Sequence, residues 1–317
     1  MSLKKIELGT TTNITTTYAG EFAGEYIAAA LLSASTINDG GVTVKPNIAY
    51  KEVIKKLATG SLVSDATCDF NPDSSVTLTE AILQPEEFQV NLQLCKKDFV
   101  SDWEAQSMGY GMSQTLPTKF SDFMIAHVAA EVAQKTETTL FQGATANAGE
   151  FDGFQTILAA DATVNDVAVV GGGVDAANVV AQLGRVVDAI PAALYGKEDL
   201  FIYVPSSIAK FYVQALGGFA AAGLGANGVN NMGTQWWNNG SLTVNGVKIF
   251  VSPGMSDNQM IAAQRSNLFF GTGLLADHNE VKIIDMQDID GSQNVRFVMR
   301  FTSGVQIGFG SDIVYYA

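Results

Sequence analysis

Three constellations in this chain have residue types that could do chemistry. Val167-Ala168-Val169-Val170 runs into Gly171-Gly172-Gly173-Val174-Asp175-Ala176 and then a helical pattern. That is the strand, G-x-G-x-x-A, helix order in which backbone amides meet a pyrophosphate. The acid expected at the end of the second strand is missing, because that strand closes on Val204-Pro205-Ser206. The glycines therefore read as a loop before a helix capped by Asp175, with a nucleotide-binding enzyme using Gly171–Ala176 as the weaker alternative. Asp285, Asp288, Asp290 and Gly291 have the outline of a calcium loop, yet its first position falls on Met286, and an exposed hairpin tip fits better. The two histidines, His127 and His278, have no Cys or acid partners at metal-ligand spacing. His127 fits a helix face packed on its neighbours, and His278 a solvated turn. No G-x-S-x-G elbow offers a hydrolase nucleophile. The sequence assigns no catalytic residue, no metal site and no cofactor.

Composition narrows the class. The 317 residues suffice for one large domain or two ordinary ones. Hydrophobic residues make up 47% and charged ones 16%, against about a quarter charged in an ordinary soluble chain. So few charges imply a surface covered by copies of the chain or by partners. A net charge of −14 argues against tight, sequence-independent nucleic-acid binding, which needs Lys and Arg. It leaves room for a wall that encloses nucleic acid while repelling it. Cys68 and Cys95 are too few for a disulfide framework and fit reduced thiols in a cytosolic protein. The opening MSLKKIELGTTTN lacks the apolar run of a signal peptide, and no stretch reaches the ~18 apolar residues of a membrane span.

The elements that would carry any site are organised around Leu116–Gln142. Pro117 suits the first turn of a helix. Phe120, Met124, Val128 and Val132 then recur every four residues, with Ile125 and Leu140 widening the face and Glu131, Lys135 and Glu137 elsewhere. Gly143 fits a left-handed terminating turn. Such a helix spans roughly 40 Å.

Upstream, residues 1–18 are polar and Thr-rich, an arm; Glu21–Ser33 and Tyr50–Leu57 carry short helical patterns. Ser61–Phe70 and Val76–Leu94 read as the two sides of a long hairpin about the turn Asn71-Pro72-Asp73-Ser74, kinked at Pro85. Its second side could reach about 60 Å. A two-stranded ribbon is marginal alone in water, so a neighbouring subunit is the obvious support.

Downstream, the spacing predicts helices at Asn178–Leu194 and Ser206–Leu216, a strand at Leu200–Val204 and a tight hairpin at Leu242–Val251 around Asn245-Gly246. The segment 217–240, rich in Gly, Ala and Asn, reads as a mobile surface loop. Its Trp236 and Trp237 are either a contact patch or a small core beneath it. Met260 to Tyr316 alternates almost throughout and predicts an antiparallel sheet. The class is α+β.

This order resembles the major capsid proteins of tailed double-stranded DNA bacteriophages, the Hong Kong 97 phage capsid fold shared with encapsulin shells. The resemblance runs from about residue 45 to the end. It is carried by Asn71-Pro72-Asp73-Ser74-Ser75-Val76-Thr77-Leu78, by Leu140-Phe141-Gln142-Gly143 with Asp152-Gly153-Phe154, and by Val244-Asn245-Gly246-Val247-Lys248-Ile249. Val295-Arg296-Phe297-Val298-Met299-Arg300 and Val305-Gln306-Ile307-Gly308 complete it.

The resemblance implies an N-terminal arm at 1–45, an extended loop with flanking segments at 46–115, and the spine helix with the first part of a peripheral domain at 116–152. An axial domain follows at 153–275, and the rest of the peripheral domain at 276–317. It implies a structural virion protein, made in the host bacterial cytoplasm, that assembles with itself as hexamers and pentamers into an icosahedral shell around packaged DNA. A portal belongs to such a shell; a decoration protein is left open, and no membrane is involved. An encapsulin-type compartment is the alternative.

Phe70, Asn71, Pro72, Asp73, Phe88, Trp236 and Trp237 are the expected inter-subunit contacts. Some relatives cross-link a Lys of the extended loop to an Asn; residues 57–95 hold no Lys, so that chemistry is not expected here. The chain also begins almost at the arm, so either the scaffold is a separate protein or the chain is a processed form, and the former is the expectation.

Overall fold

The computed structural model describes residues 17–19, 34–59, 68, 76–95, 118–217, 242–273, 280–286, 289 and 291–317. Within them lie two six-stranded sheets, a separate two-stranded ribbon and five α-helices.

The first sheet holds β1 (Thr17–Ala19), β2 (Thr43–Lys45), β5 (Glu86–Cys95), β11 (Leu268–Thr272), β12 (Glu280–Asp285) and β13 (Asn294–Ile307). Its path is β1-β12-β13-β11-β2, with β5 along the other edge of β13. The second sheet runs β6 (Asn165–Val167), β14 (Val314–Tyr316), β10 (Met260–Gln264), β7 (Leu200–Val204), β9 (Val247–Val251), β8 (Thr243–Val244). The ribbon is β3 (Glu52–Thr59) paired antiparallel with β4 (Val76–Leu83).

The helices are α1 (Ser35–Asn38), α2 (Thr118–Gln142), α3 (Phe154–Ala160), α4 (Val179–Asp188) and α5 (Ser206–Gly217). On α2, Val128 and Val132 pack on the first sheet against Val281, Phe297 and Met299, with Val90 and Leu92 of β5 at the margin. Leu140 and Phe141, two turns on, enter a second core. There Phe270 and Ile307 of the first sheet meet Tyr203, Ile261 and Tyr315 of the second. The opposite face of the second sheet is covered by α4 and α5, through Val179, Leu183, Val186 and Ile208. One helix thus bridges two sheets, because its apolar residues change partner along its length.

Several expectations hold. The long helix, the strand at Leu200–Val204, the helix after Pro205 and the Asn245-Gly246 hairpin stand where periodicity put them. Asn245 and Gly246 take φ of 46° and 83°, the pair of left-handed residues that such a turn requires.

Others are corrected. The segment Tyr50–Leu57 holds no helix: from Glu52 on it is a strand, Val53 and Ile54 being β-branched, and Glu52–Thr59 pairs residue for residue with β4. Among the described residues the strand that pairs with Val76–Leu83 is Glu52–Thr59; the expected first side, Ser61–Phe70, lies outside them except for Cys68. Val76–Leu94 is two strands, because the chain leaves the ribbon at Gln84-Pro85 and β5 then pairs along its whole length with β13. The C-terminal strands are not one antiparallel sheet. β10 and β14 belong to the second sheet, where β14·β6 and β7·β9 are parallel. Gly143 adopts no left-handed turn; it is needed for close approach, since a Cβ there would stand 2.2 Å from the Phe151 carbonyl oxygen. The helical pattern at Glu21–Ser33 lies outside the described residues, as does the loop expected at 217–240 apart from Gly217, which ends α5.

Candidate assembly surface

The ribbon β3–β4 carries five of the ten large hydrophobic side chains that are exposed among the described residues, and its register explains why. Val53 faces Ile82, Lys55 faces Glu80, Leu57 faces Leu78 and Thr59 faces Val76. With a side-chain period of two, all of these share one face. Val53, Leu57, Val76, Leu78 and Ile82 are between 44% and 61% exposed. A soluble chain gains nothing from such a stripe unless something covers it.

The base of the ribbon is tightly built. Leu83 is fully buried and packs with Ile48 against Gly271, where an added Cβ would stand 2.9 Å from both side chains. Gln306 Nε2 donates to the Ile82 carbonyl at 2.9 Å, and Lys45 pairs with Glu52 at 2.9 Å. The projection is rooted in the fold rather than loosely tethered.

A second anchor ties the segment before β2 to α2. Glu137 is buried, although helix spacing alone put it on another face. Its carboxylate accepts the Thr36 amide at 3.0 Å and the Thr36 hydroxyl, which lies 3.0 Å from Ser252 Oγ. Nearby, the buried Tyr203 hydroxyl donates to the Gly41 carbonyl; desolvation holds that phenol far above its usual range.

The residues after Gly173 bind side chains of the fold itself. Val174 N–H donates to Asn258 Oδ1 at 2.8 Å, and Asp175 N–H donates to Asn178 Oδ1 at 2.9 Å. The Ala177 and Asn178 amides both donate to Asp175 Oδ1 at 2.9 Å. Four amides on the way into the helix are thus taken by side chains, and the Asp175 carboxylate stands at the helix entrance, where a phosphate would be repelled. Gly173 (φ 82°) is fixed by packing as well: a Cβ would meet Asn258 Oδ1 at 2.9 Å. Its strand β6 lies at the edge of the second sheet. Among the described residues no three His, Cys, Asp or Glu side chains gather as a metal site, and no helix is long and apolar enough to cross a membrane.

Comparison of the whole fold with solved structures decides what this architecture is. The chain superposes on the capsid of a native GTA particle with a TM-score of 0.58 and 12% identity, over 99% of this chain and 95% of that one. The capsid of Myoviridae phage XM1 gives 0.55 and 11%, over 89% and 90%. The capsid structure of cyanophage P-SCSP1u gives 0.54 and 10%, over 87% and 85%. This is the tailed-phage capsid fold. No protein-family model and no curated protein matches the chain by sequence.

Within the capsid fold, Phe88 sits on β5, half-buried, with ring centroids 6.0 Å from Phe151 and 5.8 Å from Phe301. Phe70, Asn71, Pro72, Asp73, Trp236 and Trp237 lie outside the described residues, as do His278, Asp288 and Asp290. His127 lies on the exposed side of α2. The hairpin-tip reading of 285–291 agrees with the Met286 amide donating to the Asn294 carbonyl at 2.9 Å. Cys68 is exposed and Cys95 half-buried on β5, both free thiols.

Sequence reasoning missed Val53, Leu57 and Ile82 as one face, and Glu137 as an anchor. The β-branched content of residues 53–59 carried the first signal. Nothing local marks a Glu whose partner stands 101 residues away.

Proposed function

We propose that this chain is a capsid subunit whose copies close into an icosahedral shell around packaged double-stranded DNA. The observation that carries the reading is the exposed apolar face of the rooted ribbon, on a chain with the capsid fold from end to end. Subunits with such projections gain buried area only by lying on their neighbours, and identical heterologous contacts close into rings when the rotation permits. The negative net charge suits a wall that confines a polyanion without binding it.

In this reading residues 1–45 are the arm and 46–115 the extended loop with its flanks. Residues 116–152 and 276–317 form the peripheral domain, and 153–275 the axial domain around five- and six-fold axes. The partners are copies of the chain in hexamers and pentamers, a portal and a separate scaffold protein, and the location is the virion. The role is structural rather than enzymatic; the Asp175 carboxylate at the helix entrance after the glycine turn supports that.

The test is to express the chain, concentrate it in a crowding agent and sediment it. Particles sedimenting far ahead of the subunit support the reading, and persistent monomers oppose it. Nuclease-resistant DNA in particles recovered from infected cells separates a virion shell from a protein-loaded compartment.

A further inference from the structure

The ribbon meets the body over a bare patch of the first sheet. Gly271 of β11 stands directly across from Gly304 of β13, and residues that face each other in a ladder share one face of the sheet. Neither glycine takes a left-handed φ, so these positions need space rather than backbone freedom. A Cβ on Gly271 would stand 2.9 Å from Ile48 Cδ1 and from Leu83 Cδ2. One on Gly304 would stand 3.0 Å from the Gln84 carbonyl oxygen and from Pro85 Cα. Both legs of the ribbon therefore sit in the room that two missing side chains leave: the entering leg at Ile48, the leaving leg at Leu83-Gln84-Pro85.

Hydrogen bonds hold both legs on this saddle. The Ile48 amide donates to the Thr272 carbonyl at 3.2 Å, beside Gly271. Gln306 Nε2 donates to the Ile82 carbonyl at 2.9 Å, close to Gly304. Ile48 and Leu83 are buried, so a pivoting ribbon would have to break both bonds and empty both sockets together. From Leu83 to Val76 the ribbon reaches roughly 23 Å beyond this root, and a small tilt at the saddle becomes a large displacement at Val76.

We propose that Gly271 and Gly304 are a positioning pair, whose saddle fixes the angle at which the ribbon leaves the body. The free subunit then presents the ribbon in one direction and not as a swinging arm. A fixed projection has little freedom left to lose when a second copy covers it, which favours association. The angle also sets how copies tilt against one another, a consequence that rests on the shell reading.

Electron–electron double resonance on the free subunit reads the angle. In a Cys68→Ser, Cys95→Ser background, with Leu57→Asp included to keep the chain unassembled, spin labels go on Val76→Cys of the ribbon and Asn91→Cys of β5, both exposed positions. They are expected to give one distance peak, as narrow as that of a pair within the body, Asn91→Cys with Asp188→Cys. A broad or divided distribution overturns the proposal. Gly304→Ala, in a chain whose circular dichroism is unchanged, is expected to move the peak by about 2 Å or more, the root's displacement being multiplied along the ribbon. A peak that stays in place overturns the role of the glycine pair. With Leu57 restored, Gly304→Ala is expected to give shells of altered diameter or shells that fail to close. Unaltered shells from a chain whose peak has moved overturn the link to assembly geometry and leave the shell reading standing. An unsubstituted chain that forms no particles overturns the shell reading and leaves the fixed ribbon standing.

Discussion

Glu137, in the last third of the long helix, accepts a 3.0 Å hydrogen bond from the amide of Thr36, and the Thr36 hydroxyl donates to the same carboxylate. Both residues are buried. The contact joins the segment that leads into β2 to the helix on which both sheets rest. The same hydroxyl lies 3.0 Å from Ser252 Oγ in the loop after β9.

Thr36→Val keeps the volume of this site but leaves Glu137 and Ser252 without a hydroxyl partner. A buried polar group left unpaired costs roughly 1–3 kcal/mol. The variant is expected to lose about that much stability in urea unfolding while the m-value stays unchanged. A loss below about 0.5 kcal/mol would show that the site relaxes or admits water.

Leu83 and Leu57 belong to the same ribbon yet should behave oppositely. Leu83→Ala empties a fully buried socket and is expected to cost the subunit about 2–5 kcal/mol. Leu57→Asp changes an exposed position and is expected to leave subunit stability within about 0.5 kcal/mol. It should still abolish particles, because it places a carboxylate where an apolar cover is required. Thermal unfolding of the monomer and sedimentation of the assembled material read the two effects separately.

Glu150 gives a pH prediction. The hydrogen bond from Lys135, then that from Asn147, holds its carboxyl well down, at about 2 against an ordinary 4.5. The folded-state value is the lower one. The interaction therefore stabilises the fold above the ordinary carboxylate range and is lost as pH falls from about 4.5 toward 2. Glu150 is half-buried but its partner Lys135 is exposed, so solvent screens the pair and the effect is small. Glu150→Gln is expected to lower Tm at pH 7 by roughly 1–2 °C and to flatten the further fall between pH 4.5 and pH 2. An unchanged acid limb in thermal scans would contradict this.

The ribbon can be removed without touching the body if the cut respects the register. Joining Val53 to Ile82, which already face each other, through an Asn-Gly turn closes a short hairpin above Leu83. Circular dichroism of that chain is expected to show a folded subunit. A deletion of 61–94 is expected to unfold it instead, because it takes most of β5 from β13.

Much of this was legible in the sequence, for physical reasons. Val128, Val132 and Leu140 repeat at helical spacing, and Asn245-Gly246 is turn chemistry with one solution; such signals are local. The glycine turn was rightly read as a loop, because the missing acid after Leu200–Val204 is also local. Residues 50–57 were misread because Ile54 and Leu57 with the intervening lysines fit a helix face as well as a strand, and only pairing with Val76–Leu83 decides between them. Glu137 was misread because its partner lies in a distant segment. The division of the C-terminal strands between two sheets was hidden for the same reason: alternation shows that a strand has two faces, not which strand it joins.

The central claim is that the chain is built to lie on copies of itself through β3–β4. Negative-stain electron microscopy of the full chain beside the Val53–Ile82 excision tests this most directly, with both preparations matched for folded subunit. The account expects closed, uniform shells from the full chain and isolated subunits from the excised one. Shells of equal number and size from both would contradict it.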